Sequence, residues 1–212
     1  MIRAVLFDFG GVILSSPFEA FAHYEQLNAL PEGFIRQLNA TNHENNAWAH
    51  LERGDVDIEG FAELFEEEAR QAGHEVDAHA ILALLSGEIR PEMVEAVRRI
   101  KAEGLGLAVL TNNFAPPPGA ERSETREAAL AEVMALFDHV VESSKVGVRK
   151  PDPRFYELAC ETLGIEPAEA VFLDDLGVNL KPARAMGMTT IKVVDLDQTL
   201  AELEAVVGFP LG

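Results

Sequence analysis

Apolar residues in this chain gather into short unbroken runs, separated by longer stretches in which they recur every three or four positions. The runs are IRAVLF (2–7), LGLAVL (105–110), HVVE (139–142), AVFLD (170–174) and TTIKVV (189–194). Runs of this length, with little polar alternation, suit strands covered on both faces, as in a parallel sheet. The intervening stretches carry helix punctuation. In PEMVEAVRRIKAEG, Met93, Val97 and Ile100 share one face, Pro91 suits the first turn and Gly104 the stop. DPRFYELACETLG repeats the pattern with Asp152 as N-cap, Pro153 at the first helical position and Gly164 as terminator. NLKPARAMG does so again, with Pro182 in the first turn and Gly187 at the end. Strand alternating with helix predicts an α/β fold with a Rossmann-like parallel central sheet.

The interval 16–88 breaks the alternation. It offers no strand and reads as several helices, among them IEGFAELFEEEARQAG (58–73) and VDAHAILALLSG (76–87). The expected organisation is therefore an α/β core from 1–15 and 89–212, with a helical cap, 16–88, inserted after the first strand. Trp48, Phe18, Phe21 and Phe34 read as core of that insertion, and the run Glu66, Glu67 and Glu68 as a solvated helix face. A second irregular stretch, NNFAPPPGAERSETREAA, follows the 105–110 run; its triple proline makes it a loop.

Composition narrows the partners. A net charge of −19 over 212 residues argues against non-specific binding to nucleic acid or to an anionic membrane surface. An anionic ligand would need local compensation from a cation, a lysine or helix amides. The single cysteine, Cys160, excludes an intrachain disulfide and reads as a packed helix thiol. No leader pattern and no apolar stretch of membrane-spanning length is present, so a cytoplasmic location is expected.

Polar residues collect where the strands end. Strand 2–7 is followed by Asp8, strand 105–110 by Thr111 and Asn112, and strand 170–174 by the pair Asp174-Asp175. In an open parallel sheet these positions share one edge, where ligands bind. Three carboxylates converging there repel one another unless a cation sits among them, and an all-oxygen set suits Mg²⁺. Lys150, in VGVRKPDPRF, stands in a loop just before a helix start, placed to meet an anionic group. Each element has a plainer reading: the aspartates as caps or turn residues, Thr-Asn as loop chemistry, the lysine as a surface residue. Their coincidence at four unrelated strand ends supplies what phosphoryl transfer to a carboxylate needs: a nucleophile, a metal and donors for the phosphoryl oxygens.

VLFDFGGV, VLTNN, the Lys150-Pro151 step and VFLDDLGVN together resemble, in order and approximate spacing, the four motifs of the haloacid dehalogenase superfamily of hydrolases. FLDDLGVNLKPARAMGMTTIKV and the tail TLAELEAVVGFPLG are similar to the amino-terminal phosphatase domain of soluble epoxide hydrolases and to the domain preceding some acyl-CoA dehydrogenases. Bacterial α-glucose-1-phosphatases are more distant in likeness. The resemblance implies a magnesium-dependent phosphatase acting on a small-molecule phosphate ester, with a small helical cap of the C1 type. Asp8 would be the nucleophile, forming an aspartyl-phosphate, and also a Mg²⁺ ligand. The carbonyl of Gly10 and the carboxylate of Asp175 would be further ligands, with Asp174 ligating through water or orienting it, and Asn179 tuning the surroundings. Thr111 and Asn112 would hold phosphoryl oxygens. Lys150 would pair with the phosphate; Lys145 is the competing lysine.

The sequence departs from most phosphatases of that superfamily at Gly10, where they carry the aspartate that protonates the leaving alcohol. A positioned acid is worth about 10²–10⁴-fold, so its absence favours esters with good leaving groups or an acid recruited from elsewhere. Glu19, His23, His43 and His50 are candidates in the insertion. Two further readings compete. One is a catalytically weak binding or regulatory module, since a fold does not guarantee its chemistry. The other, a haloalkanoate dehalogenase, fits poorly with the glycines of FGGV and with the Asp174-Asp175 pair.

Overall fold

The fold was taken from a computed structural model, which describes residues 1–85, 87–113 and 124–211, with the side chain of Glu19 also outside the description. The triple-proline stretch expected to form a loop lies outside the described residues.

Five strands form one sheet in the order β3-β2-β1-β4-β5, every neighbouring pair parallel. They are β1 (Ala4–Phe7), β2 (Gly106–Thr111), β3 (His139–Glu142), β4 (Ala170–Asp174) and β5 (Thr189–Lys192). Each lies on one of the apolar runs; β1 and β5 fall two residues short of theirs, and β2 begins one residue late and runs on to Thr111. In β1, successive residues feed opposite faces. Val5 and Phe7 pack with Met93, Val97 and Ile100 of α6 (Pro91–Ala102) and Leu203 of α11 (Leu196–Val207). Leu6 packs with Phe155, Tyr156 and Ala159 of α9 (Pro153–Leu163) and with Leu180 and Ala183 of α10 (Gly177–Ala185). Burial on both sides explains why the strands read as continuous apolar runs. Two further core helices, α7 (Glu124–Met134) and α8 (Ser143–Val146), flank β3 in sequence.

Helix punctuation behaves as expected in α9. Asp152 accepts the Arg154 amide and Gly164 closes the helix in the left-handed conformation. Cys160 is buried on this helix, and burial pushes its thiol up to about 11. Pro182 departs from expectation: α10 starts at Gly177, so the proline lies inside the helix rather than in its first turn. The amide it lacks would have bonded Val178, in the first turn, where an exposed residue leaves its carbonyl open to water.

The interval between β1 and α6 is helical: α1 (Phe18–Leu27), α2 (Phe34–Ala40), α3 (Ala47–Arg53), α4 (Ile58–Gln71) and α5 (Ala78–Ala83). These helices build an apolar cluster of their own. Trp48 packs on Phe61 at 4.7 Å, Phe61 stacks on Phe65 at 5.2 Å, and Phe21 and Phe34 are buried beside them, with Phe18 partly buried at the margin. The chain leaves and returns at one place: Leu14 bridges Ile89, the Ser15 amide donates to the Glu88 carbonyl at 2.7 Å, and the Arg90 amide donates to the Ile13 carbonyl at 3.0 Å. The acidic run of α4 is not merely solvated. Glu68 accepts the Ala47 amide at 2.8 Å and Glu66 the Ala78 amide at 3.3 Å, so two of the three serve the amino ends of α3 and α5, whose first amides need acceptors. No described helix is long and apolar enough to cross a membrane.

Candidate functional site

Strand register decides what stands at the carboxyl edge of the sheet. Phe7 of β1 pairs with Leu173 of β4, so Asp8 and Asp174 emerge side by side, and the Asp8 amide still donates to the Leu173 carbonyl at 2.8 Å. The chain then turns tightly through Phe9–Ile13, with Asp8 Oδ1 accepting the Phe9 amide at 2.6 Å. Gly11 has φ +76°, and a Cβ there would lie 2.2 Å from Asp175 Oδ2. Glycine is thus required twice, for the left-handed backbone and to admit the Asp175 carboxylate. Gly10 is different. Its φ of −72° and ψ of 133° suit any residue, and a Cβ there would meet nothing within 4 Å.

Lys150 is 1% exposed, and its Nζ lies 2.8 Å from Asp8 Oδ1 and 2.8 Å from Asp174 Oδ2. Lys145, by contrast, is on the surface beside Glu142. Asp174 is fully buried and saturated. It accepts from Lys150, from the Leu176 amide at 2.8 Å, and from Asn179 Nδ2 at 3.1 and 3.0 Å on its two oxygens. Tyr156 donates its hydroxyl to the Asn179 carbonyl at 2.7 Å, anchoring the network in the core. Asp174 therefore orients the lysine and the loop after β4. Asp8 takes both its bonds on Oδ1, and the half-buried Asp175 receives a long bond of 3.4 Å from Ser16 Oγ.

Oxygens of Asp8, Asp174 and Asp175 all lie within 4.8 Å of one another. One lysine faces three carboxylates. Burial pushes the Asp8 carboxyl well up against the pull of Lys150, with Asp174 and Asp175 adding to the rise. Burial and the adjacent Asp174 push Asp175 up to about 6. For Lys150, burial works to pull the ammonium down, but Asp174 and Asp8 outweigh it and hold it up. An all-oxygen cluster with this surplus of negative charge can hold a hard cation, and Asp8 and Asp175 keep an oxygen to offer it.

Thr111 closes β2 at the same edge, half-buried. Asn112, expected to hold phosphoryl oxygens, has its side chain against the lysine: Nδ2 donates to the Lys150 carbonyl at 3.0 Å, and Oδ1 accepts the Lys150 amide at 2.8 Å. Asn113 ties the end of β2 to that of β3, donating to Glu142 at 2.7 Å and accepting from Ser144 Oγ at 2.9 Å.

The side chains of His23, His43 and His50, acid candidates read from the sequence, make no described hydrogen bond or ion pair to this cluster. His23 and His43 are exposed, His50 pairs with Asp55 at 3.0 Å, and the Glu19 side chain lies outside the description. The structure instead brings up Glu52, in the last turn of α3. Its carboxylate pairs with Arg149 Nε at 2.6 Å, with the two side chains 14% and 17% exposed. Burial pushes the Glu52 carboxyl up, and Arg149, Lys150 and the Asn112 amide pull against it. A signal for Glu52 existed in the sequence: a carboxylate near a helix carboxyl end opposes the helix dipole, which asks for a tertiary partner.

A parallel sheet carrying a buried lysine between two aspartates, with a third beside them, defines a strand-edge acid–cation site of an α/β enzyme. Residues 2–187 match the family model described as haloacid dehalogenase-like hydrolase, and the chain belongs to that family. It is 39% identical over 99% of its length to mouse acyl-CoA dehydrogenase family member 10 and 35% identical over 99% to pig bifunctional epoxide hydrolase 2, covering 19% and 40% of those proteins. The chain thus spans well under half of either relative. It is 30% identical over 93% of its length to Phosphatase MT3486 of Mycobacterium tuberculosis, covering 90% of that protein. The fold matches a Bacteroides thetaiotaomicron family enzyme solved with magnesium and inorganic phosphate, at a TM-score of 0.57, 18% identity and coverage of 91% and 94%.

Proposed function

We propose that this hydrolase is a Mg²⁺-dependent phosphatase that takes the phosphoryl group of a small-molecule ester onto Asp8. The observation that carries the reading is Lys150, buried between Asp8 and Asp174 beside an Asp175 whose carboxyl is raised by its surroundings. The phosphatase relative and the magnesium- and phosphate-bound family structure support it.

Asp8 Oδ2 attacks phosphorus while Oδ1 stays held by Lys150 and the Phe9 amide. The lysine's charge and the Thr111 hydroxyl compensate the equatorial oxygens as negative charge accumulates. The bond to the ester oxygen breaks, and water then cleaves the acyl phosphate to restore Asp8. Asp8, Asp175 and the Gly10 carbonyl would hold Mg²⁺, which supplies further charge neutralisation at the phosphoryl group. Asp174 works through Lys150 and the loop it orients. Asn112 works by fixing the lysine backbone. Residues 1–15 and 89–212 form the catalytic core, and 16–88 act as a cap that excludes water and selects the substrate. With open space rather than a side chain at Gly10, the departing oxygen receives no proton there. The preferred substrates are therefore esters of weakly basic leaving groups, such as sugar 1-phosphates, aryl phosphates or acyl phosphates.

A panel of phosphate esters with and without Mg²⁺, on the wild type and on Asp8→Asn, tests the reading. Hydrolysis abolished both by chelation and by the substitution is expected. No hydrolysis across a broad panel would favour the binding-module reading instead.

A further inference from the structure

Asn112 grips the Lys150 backbone from both sides, and Arg149 precedes that lysine directly. Arg149 pairs with a carboxylate, Glu52, that belongs to the helical insertion and not to the core. Arg149 is held a second time by the insertion, donating Nη1 to the His43 carbonyl at 2.9 Å. A path therefore runs from α3 to Asp8: Glu52 to Arg149 at 2.6 Å, Arg149 through the peptide bond to Lys150, whose backbone Asn112 holds, and Lys150 Nζ to Asp8 at 2.8 Å.

We propose that Glu52 is a positioning residue through which the docked insertion sets the placement of Lys150 against Asp8. Among the described contacts Glu52 meets the Arg149 guanidinium at 2.6 Å and none of Asp8, Thr111 or Asp175, so it acts through its neighbours. Its effect passes through the backbone of residues 149–150. An insertion swung away from the core withdraws Glu52 and the His43 carbonyl together, so the segment leading into Lys150 loses the anchored arginine that precedes it. The site is then complete only with the insertion in place, which couples substrate enclosure to catalysis. A misplacement of about 1 Å at a charge-compensating group costs on the order of 10²-fold in turnover.

The kinetic arm of the test rests on the phosphatase reading, and the exchange arm does not. In full-length Glu52→Gln, which keeps the side-chain shape, the Lys150 amide is expected to exchange with solvent about tenfold faster or more, while the β1 and β4 amides exchange as in the wild type. On p-nitrophenyl phosphate with Mg²⁺, kcat is expected to fall about 10–100-fold with KM little changed, and Glu52→Asp to recover part of the loss. An unchanged exchange rate at Lys150 overturns the proposal, as does a loss confined to KM, which would make Glu52 a substrate contact. A wild type inactive on every ester overturns the phosphatase reading, and the exchange arm still decides the role of Glu52.

Discussion

Arg149 and Lys150 are adjacent in the chain yet serve two different buried networks. Lys150 is enclosed by the core: its ammonium meets Asp8 and Asp174, its backbone is gripped by Asn112, and Asp174 is fixed in turn by Asn179 and the Leu176 amide. Every one of these residues stands on the sheet edge or the segment just after it. Arg149 turns to the insertion, where Glu52 and the His43 carbonyl receive it. The first network is built wholly from core residues, and the second joins the core to the insertion. Charge compensation at Asp8 is thus a property of the α/β core, while the joint to the insertion lies one residue away.

The largest expected effect comes from removing the core partner. Lys150→Met strands two buried carboxylates, costing about 3–5 kcal/mol of stability without a cation and on the order of 10³-fold in kcat. Denaturant melts and steady-state kinetics measure both. If it cost no more than Glu52→Gln, the distinction between the two networks would collapse.

Gly10→Asp probes the same edge by addition. The ordinary backbone and open space at Gly10 admit a side chain, so the variant is expected to fold normally and to gain about 10²-fold on alkyl phosphates, with little change on aryl esters. No gain on alkyl esters would show that a proton donor at this position is not what the site lacks.

A smaller effect tests the cation site. The folded-state carboxyl of Asp175 is raised to about 6 from a usual 3.8, so the folded chain binds more protons than the unfolded chain between those values. Its contribution to metal-free stability is therefore lost as pH rises from about 4 through 6, and a bound cation offsets the loss. Asp175→Asn is expected to stabilise the chelated protein at pH 7.5 by about 1–3 kcal/mol, and to lack the rise in melting temperature that Mg²⁺ is expected to give the wild type. An unaltered Mg²⁺ shift in the variant would remove Asp175 from the ligand set.

The core half of this comparison was legible in the sequence and the joint was not. Strands buried on both faces announce themselves as apolar runs, and in a parallel sheet their ends must share an edge. The positions of Asp8, Thr111, Asp174 and Asp175 directly after or at the ends of such runs therefore suffice to bring them together. The role of Glu52 depends instead on how α3 docks against the loop that leads into α9, a long-range event that periodicity does not encode. The same limit hides the work of the Asn112 amide, which reads as loop chemistry until Lys150 is seen folded back on it. Glu66 and Glu68 read as solvated because the amides they accept, at the starts of α5 and α3, are distant in sequence. Pro182 reads as a first-turn residue because α10 begins at Gly177 without a side-chain cap to mark its start.

The central claim is that phosphorus bonds to Asp8, and trapping the intermediate tests it most directly. Borohydride reduces an aspartyl-phosphate to homoserine, which peptide mass spectrometry can locate in enzyme quenched during turnover of an aryl phosphate with Mg²⁺. Homoserine at position 8, dependent on both substrate and Mg²⁺, is the predicted result. Turnover without modification at Asp8, or with the label on another residue, would contradict the account.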